Sequence, residues 1–336
     1  MSINLNLLQN NINNIIEYKR MPENVTIVDW WLGNTCNYKC SYCFHESNKG
    51  DKRVPYLDLY EHNVDYLLNK IEDINYKSYF ILSGGEPTIY PDLDRILYKI
   101  RSSKSYVGNL IVTNGSRTLN WWKRNKDLFD SIAISFHIES ADKEHILEVC
   151  KILKDKRVSV TIMMHNTMFS ECMSAYQYFV DNNITEYADL CLKALDDMNN
   201  IGNLVEYTEE QNEFIKKNML ISAYKDNSNE YYSVYAVAID DKKNEYRVLS
   251  NKVAHLDPDF SGWECMIGTE HITIDYDGNI RANCNENIFN KRYNLYIGNL
   301  ELEQFDLRKK PHTCVYGRCR CLGLYEISKK LPLNIS

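Results

Sequence analysis

The chain contains 336 residues, which is enough for one large domain or two ordinary domains with a sizeable hydrophobic core. Hydrophobic residues make up 44% of the sequence and charged residues 25%, as in soluble globular proteins. The formal net charge is −7, so we predict neither a nucleic acid nor an anionic membrane surface as a partner.

The sequence lacks targeting features. No apolar run reaches the length of a transmembrane helix. Residues 1–13 lack the basic region and the cleavage site of a signal peptide. We therefore expect a cytoplasmic protein. In that reducing compartment the 11 cysteines are expected to remain thiols, and clustered ones are expected to bind metal or to react.

Hydrophobic periodicity predicts the secondary structure of the first two-thirds of the chain. Residues 1–24 are expected to form a short polar helix and a linker. Beyond them, short β-branched and aromatic runs alternate with segments of helical spacing. The predicted strands are 26–32, 79–82, 109–112, 131–136, 158–164 and 187–192. The predicted helices are 56–72, 91–100, 119–128, 141–154 and 170–180.

This alternation predicts the fold class. Strands that alternate with helices at this spacing form a parallel sheet with right-handed crossovers. Six such units are too few for a closed barrel of eight strands. We therefore predict an α/β fold, built either on a partial (β/α)6 TIM-like barrel or on an open sheet.

The last part of the chain differs from this pattern. A helix is predicted at 208–218, where Thr208 and Gln211 can form a capping box. A hairpin is predicted at 231–249 and a second one at 272–281, where Asp277-Gly278 separates two alternating strands.

Four regions follow from these elements. They are an N-terminal extension (1–25), the barrel (26–194), a connecting region with a β-hairpin (195–262) and a small cysteine-rich module with a β-hairpin (263–336).

The first group of cysteines is Cys36, Cys40 and Cys43, spaced C-x3-C-x2-C. Thiolates are favoured ligands of iron–sulfur clusters, zinc and copper(I). A closed zinc site or a ferredoxin cluster takes four protein ligands, so a loop with three leaves one metal position open. The alternative is a zinc knuckle that His45 or a distant cysteine completes.

The other cysteines fall into two groups. Cys150, Cys172 and Cys191 are isolated in apolar or mixed surroundings, where a free cysteine behaves as a small buried hydrophobe. Five more lie in the last quarter of the chain: Cys265, Cys284, Cys314, Cys319 and Cys321.

Unusual residues follow each predicted strand at its C-terminal end, the face where parallel α/β folds place their active sites. In strand order they are Cys36–Cys43, Gly84-Gly85-Glu86-Pro87, Thr113-Asn114-Gly115, Ser135 with His137, Met164 with His165, and Lys193. His137, His165 and Lys193 are the catalytic candidates. Each can act as a general base, clamp a substrate carboxylate or phosphate, or be a satisfied polar group at a strand end.

Two of these segments resemble a known family. The cysteine loop, with Tyr42 before Cys43, resembles the cluster loop of the radical S-adenosylmethionine (SAM) superfamily, and Gly84–Pro87 resembles its GGEP motif. The resemblance covers residues 26–193. It implies a [4Fe–4S] cluster on the three thiolates and SAM on the open iron. The implied activity is reductive cleavage of SAM to a 5′-deoxyadenosyl radical, which abstracts hydrogen from a substrate.

The same resemblance implies which residues bind SAM. The Gly84–Glu86 segment would hold the methionine amino group, the main chain near Phe44 would contact adenine, and Ser135 would bond the ribose. Ser135 can instead simply cap its strand. The full implied set is Tyr42, Phe44, Gly84, Gly85, Glu86, Pro87, Thr113, Asn114 and Ser135.

The C-terminal cysteines resemble the auxiliary-cluster module of the SPASM/twitch group. Cys265, Gly278 and Cys284 match its pattern, with one residue more than usual between the glycine and the second cysteine. The resemblance implies a second [4Fe–4S] cluster on four of the five thiols, with Cys319 or Cys321 spare. A zinc ribbon on the same thiols is the alternative.

The implied reaction is an oxidation or a bond-forming modification of a small or sugar-like molecule or of a peptide. An external electron donor of the flavodoxin or ferredoxin type would be required. Two alternatives remain. The string Cys36–His45 also resembles viperin-type enzymes, which would imply a nucleotide substrate and structural zinc at the C-terminal cysteines. The other alternative is a non-enzymatic iron–sulfur or zinc-binding protein.

Overall fold

The computed structural model describes residues 14–43, 50, 61–197, 204–218, 220–221, 235–249, 259–282, 296–302, 304–307, 310–314 and 327–332. Several predicted site residues lie outside these ranges, namely Phe44, His45, Cys284, Cys319 and Cys321. No helix in the described stretches is both long and apolar enough to cross a membrane.

Six parallel strands form the centre of the structure. After an N-terminal strand β1 (Ile15–Arg20), they are β2 (Val25–Trp31), β3 (Lys77–Ser83), β4 (Tyr106–Thr113), β5 (Ser131–Phe136), β6 (Arg157–Met164) and β7 (Asp189–Ala194). Each of the six pairs in parallel with the next one along the chain. The predicted α/β class and the six predicted strands are confirmed.

Helices connect these strands and cover one face of the sheet. They are α1 (Glu61–Asp73), α2 (Leu93–Arg101), α3 (Leu119–Asn125), α4 (Lys143–Ile152) and α5 (Phe169–Asp181), with 3-10 turns at Pro87–Ile89, Lys126–Leu128 and Ile184–Glu186. Cys150 of α4 and Cys172 of α5 are fully buried in the core between helices and sheet. Helix α6 (Glu209–Lys217) begins with the predicted capping box of Thr208 and Gln211.

Alternate residues of each strand face opposite sides of the sheet. In β5, Ile132, Ile134 and Phe136 pack in the core with the helices. Ser135 therefore lies on the other side, which we call the inner face. The inner face carries polar side chains such as that of Ser135 together with apolar ones such as that of Val112.

The C-terminal part of the chain extends the same sheet. The remaining strands of this sheet are β8 (Leu220–Ile221), β12 (His271–Ile274), β13 (Asn279–Arg281), β14 (Tyr296–Asn299) and β15 (Gln304–Phe305). The order is β15-β14-β13-β12-β2-β3-β4-β5-β6-β7-β8. Strand β12 pairs in parallel with β2, so the second predicted hairpin lies directly beside the first core strand. The described strands form no closed barrel.

A second sheet is antiparallel and brings the two ends of the chain together. Besides β1 it contains β9 (Tyr235–Asp240), β10 (Glu245–Leu249), β11 (Glu264–Cys265), β16 (His312–Thr313) and β17 (Lys329–Lys330), in the order β10-β9-β1-β17-β11-β16. The predicted polar helix and linker at 1–24 are therefore wrong for residues 15–20. Ile15 and Tyr18 are buried in a second apolar cluster, and β1 pairs with β9 and β17.

One side chain joins α1 to the C-terminal extension of the main sheet. The Asn63 side-chain nitrogen donates to the carbonyl oxygens of Leu300 at 2.7 Å and Glu301 at 3.0 Å. Asn63 and Leu300 are buried, so the first of these bonds satisfies a carbonyl group that water does not reach.

We expect Asn63→Ala to lower the free energy of unfolding by about 1–3 kcal/mol, because the buried carbonyl group of Leu300 loses its donor. Urea denaturation of the purified protein measures this change. The matched control is Asn120→Ala on the exposed side of α3, which should stay within about 0.5 kcal/mol of the wild type. Equal effects of the two variants would contradict the role of Asn63.

Candidate active site

The three cysteines of the first group lie in the segment that follows β2 and face one pocket of about 500 Å³. The lining residues come from the C-terminal ends of β2, β3, β4 and β5: Cys36, Tyr38, Cys40, Cys43, Gly85, Val112, Thr113, Asn114, Ser135 and His137. The pocket thus brings together residues that are far apart in the sequence. Gly84, Glu86 and Pro87 line a neighbouring pocket of about 400 Å³.

The thiols are half-buried, and Cys36 accepts hydrogen bonds. The Tyr38 amide donates to Cys36 Sγ at 3.3 Å, and Asn114 Nδ2 donates to it at 3.8 Å. Burial raises the pKa of all three thiols, and the neighbouring Cys43 and Glu139 help to raise the pKa of Cys40 to about 12. The thiols therefore keep their protons at neutral pH until a metal displaces them.

The three thiols are placed around one pocket. Among the described residues, no three His, Cys, Asp or Glu side chains are placed to hold one metal ion. In an iron–sulfur cluster the thiolates bind separate irons. An arrangement of Cys36, Cys40 and Cys43 around one pocket fits that kind of binding.

The Gly84-Gly85 turn lies against the cysteine segment. Both glycines have positive φ, +86° and +53°, in the region that favours glycine. A Cβ atom on Gly85 would lie 2.2 Å from the Thr35 carbonyl oxygen, and one on Gly84 would lie 2.7 Å from the Gly33 carbonyl oxygen. Only glycine permits this approach of the two backbones.

The Glu86 carboxylate ties the same turn to the end of β4. Its Oε1 accepts from the Thr113 hydroxyl at 2.7 Å and from the Thr88 amide at 3.0 Å, and Oε2 accepts from the Asn114 amide at 2.6 Å. Burial raises the pKa of Glu86, whereas these donors oppose the rise and favour the ionised form. The ends of β3 and β4 are held in one arrangement as a result.

His137 lies against the cysteine segment through Tyr42. The Tyr42 hydroxyl is 2.9 Å from His137 Nδ1, and the two rings stack with centroids 5.8 Å apart. Burial lowers the pKa of His137 to about 4 and raises the pKa of Tyr42. The phenol thus keeps its proton beside a neutral imidazole ring.

His165 and Glu139 hold the neighbouring part of the segment. Glu139 Oε2 accepts from the Ser41 amide at 2.7 Å, and His165 Nε2 lies 3.3 Å from the Ser41 hydroxyl and 3.7 Å from Glu139 Oε1. Sequence reasoning did not select Ser41 or Glu139, because no local pattern indicates contact between residues so far apart in the chain. Lys193 is exposed on β7 and does not line the pocket.

Two of the C-terminal cysteines lie close together in the antiparallel sheet. Cys265 of β11 pairs with His312 of β16, and the Cys314 amide donates to the Trp263 carbonyl at 2.7 Å. Cys265 and Cys314 are therefore diagonal neighbours on one face of the ladder, where side chains can contact each other. The other three C-terminal cysteines lie outside the described residues.

We expect Gly85→Ala to abolish detectable SAM binding, because its Cβ atom would push the cysteine segment away from the pocket. Equilibrium dialysis with labelled SAM measures this on anaerobically reconstituted protein. The control is Gly262→Ala, which also has positive φ, +81°, but no atom within 4 Å of the added Cβ. That change should cost about 1–2 kcal/mol of stability and leave SAM binding intact. Equal SAM affinity in both variants would contradict the steric argument.

Comparison with known proteins identifies the central part of the chain. Residues 32–175 match the model of the radical SAM superfamily. The fold is similar to that of the solved structure of native anSMEcpe with bound AdoMet, with a TM-score of 0.52 and 15% identity over 85% of this chain and 81% of that one.

Two curated relatives are similar in sequence, and the names of both are enzyme names. The S-adenosylmethionine-dependent nucleotide dehydratase of Thermoplasmatales archaeon (strain ISO4-H5) is 31% identical over 34% of this chain and 38% of its own length. The GTP 3′,8-cyclase of Stenotrophomonas maltophilia is 31% identical over 28% of each chain. The matched segments thus span less than half of these relatives. Together with the cysteine pocket, the family match establishes that residues 32–175 are a radical SAM superfamily domain.

Proposed function

We propose that this protein is a radical SAM enzyme that reductively cleaves SAM and abstracts hydrogen from a small substrate. The observation that carries the proposal is the pocket in which Cys36, Cys40 and Cys43 meet the ends of three further core strands. Three thiols leave one iron of a [4Fe–4S] cluster without a protein ligand. Cys36, Cys40 and Cys43 would hold this cluster, which in its reduced form would supply the electron for cleavage of a carbon–sulfur bond of SAM.

The residues of the chain would bind and orient these groups. The donors at Cys36 stabilise its thiolate, and Asn114 Nδ2 also donates to Asn37 Oδ1 at 2.9 Å, which braces the cysteine segment. The backbone of the Gly84-Gly85 turn would lie against the methionine part of SAM. Ser135 faces the same pocket and would bond the ribose.

His137 and His165 support the cysteine segment in this proposal. Both contact Tyr42 or Ser41, between the second and third cysteines. We therefore assign them a positioning role, whereas Lys193 is exposed and stays available to substrate. An external donor of the flavodoxin or ferredoxin type would reduce the cluster.

We expect Cys40→Ala to abolish 5′-deoxyadenosine formation, because the cluster loses one of three ligands. Chromatography of reactions with dithionite and SAM measures the product. Cys150→Ala is the control, since Cys150 is buried in the core on α4 and should leave turnover intact. Persistent product in Cys40→Ala would contradict the cluster assignment. Wild-type protein that forms no product would favour the non-enzymatic alternative.

We further propose an auxiliary [4Fe–4S] cluster in the C-terminal module. The proximity of Cys265 and Cys314 on one face of the β11–β16 ladder supports this. Such a cluster would accept the electron that a substrate radical releases during an oxidation. Structural zinc on the same thiols is the alternative that belongs with a viperin-type enzyme.

We expect about eight irons in each anaerobically reconstituted chain, enough for two four-iron clusters. Elemental analysis measures iron and zinc together. Cys265→Ala should reduce the iron content to about four because the auxiliary cluster loses a ligand. Cys191→Ala is the control, since Cys191 lies on β7, away from both groups of cysteines, and should keep the full iron content. About four irons and one zinc in the wild type would instead support the zinc alternative.

We propose that the substrate is a small molecule with a sugar ring. Within that class we propose a nucleotide. The names of the two curated relatives, a nucleotide dehydratase and a GTP cyclase, support this choice.

A further inference from the structure

Glu139 contacts the cysteine segment between its second and third cysteines. The Ser41 amide donates to Glu139 Oε2 at 2.7 Å, a distance typical of a hydrogen bond to a charged acceptor. Glu139 lies in the turn that follows β5, and this turn is closed by a hydrogen bond of 3.0 Å from the Ser140 amide to the His137 carbonyl. The turn therefore fixes the carboxylate against the main chain of the cysteine segment.

The charge of Glu139 is not paired with a lysine or an arginine in the part of the chain that the structure describes. Its neighbour is His165, whose Nε2 lies 3.7 Å from Glu139 Oε1 and 3.3 Å from the Ser41 hydroxyl. His165 Nδ1 lies 3.1 Å from the Thr167 hydroxyl. Because a hydroxyl can donate or accept, a neutral imidazole with one donor and one acceptor satisfies both hydroxyl contacts. Glu139 therefore adds a negative charge at this side of the cysteine segment.

The two sides of the cysteine segment differ in what surrounds their thiols. Cys36 Sγ accepts hydrogen bonds from a main-chain amide at 3.3 Å and from Asn114 Nδ2 at 3.8 Å. On the other side the Ser41 amide donates to Glu139, and the charge of this carboxylate acts on the neighbouring Cys40 thiol. Hydrogen bonds to sulfur and the net charge around a cluster both set its reduction potential.

The direction of the effect follows from electrostatics. Reduction adds an electron to the cluster, so a negative charge nearby disfavours the reduced form. A main-chain amide that donates to a sulfur favours the reduced form, and the Ser41 amide is engaged by Glu139 instead. The side chain of Glu139 is only 23% exposed, so water screens its charge incompletely.

We propose that Glu139 is a positioning residue that lowers the reduction potential of the cluster held by Cys36, Cys40 and Cys43. Its carboxylate engages the Ser41 amide and places a negative charge beside the Cys40 ligand. Both effects make the reduced cluster a stronger reductant toward SAM. The inference rests on the proposed function, because it concerns the regulation of the cluster at that site.

Two substitutions separate the charge of Glu139 from its hydrogen bond. Glu139→Gln removes the charge but keeps an oxygen that can accept from the Ser41 amide, whereas Glu139→Ala removes both. The matched control is Glu186→Gln, which removes the same charge from an exposed residue. Glu186 ends the 3-10 turn before β7, at the opposite end of the strands from the cysteine segment.

Redox titration monitored by electron paramagnetic resonance measures the potential in the anaerobically reconstituted full chain. The titration is done at about pH 8, where unperturbed imidazole groups are neutral. The signal that added SAM perturbs identifies this cluster and separates it from the proposed auxiliary cluster. We expect Glu139→Gln to raise the ratio of reduced to oxidised cluster at a fixed potential by about threefold or more, and Glu139→Ala to raise it at least as much. Glu186→Gln should leave the ratio unchanged.

Three results overturn the inference. The first is an unchanged or lower potential in Glu139→Gln, including the case in which only Glu139→Ala differs from the wild type. The second is an equal shift in Glu186→Gln, which would show a general effect of net charge. The third is loss of iron from Glu139→Gln, which would show that the residue is needed to assemble the cluster.

The wild-type protein separates this inference from the proposed function, since formation of 5′-deoxyadenosine with dithionite and SAM is measured on the same preparation. If this product forms while Glu139→Gln keeps the wild-type potential, the proposed function stands and only the role of Glu139 is wrong. If the wild-type protein forms neither a reducible cluster nor this product, the proposed function and the inference both fail.

Discussion

The Glu86 carboxylate is the contact on which the arrangement of the site depends. It accepts hydrogen bonds from Thr88, Thr113 and Asn114, while its own amide donates to the Thr35 carbonyl at 2.8 Å. One residue thereby joins the segments that follow β2, β3 and β4. Since the carboxylate is buried, losing any donor would leave a desolvated charge without compensation. The glycines before it allow the close approach that these bonds require.

The pairing of β12 with β2 has the next largest consequence. It places Thr273 in register with Asp29 and brings Arg281 beside them, although these residues are distant in the sequence. The inner face of the sheet thus combines side chains from the radical SAM domain and from the C-terminal part of the chain. The Asn63 contacts with Leu300 and Glu301 hold the same extension from the side of the helices.

Much of the fold could be predicted because the apolar pattern repeats locally. The segments of β5 and β6 alternate between core and inner face, and the Thr208 capping box is a local signal that the structure reproduces. The N-terminal strand was not predictable in this way. Residues 15–20 contain the strand-favouring residues Ile15, Ile16 and Tyr18, but they follow a polar, Asn-rich segment and become a strand by pairing with β9 and β17 on either side. Pairing of this kind is decided by tertiary structure.

The candidate site also contains some features that the sequence determines and others that only the tertiary structure decides. The sequence by itself determined the three-cysteine motif, the Gly84-Gly85 turn and their position at strand ends, because spacing and backbone freedom are local properties. Only the tertiary structure decided that Glu139 reaches Ser41, and that Asp29 and Thr273 lie in one row. Such contacts depend on strand order and register, which arise from the packing of the whole sheet. The chemistry of the site is therefore encoded by short sequence motifs, whereas the surface available to a substrate forms only when the chain folds.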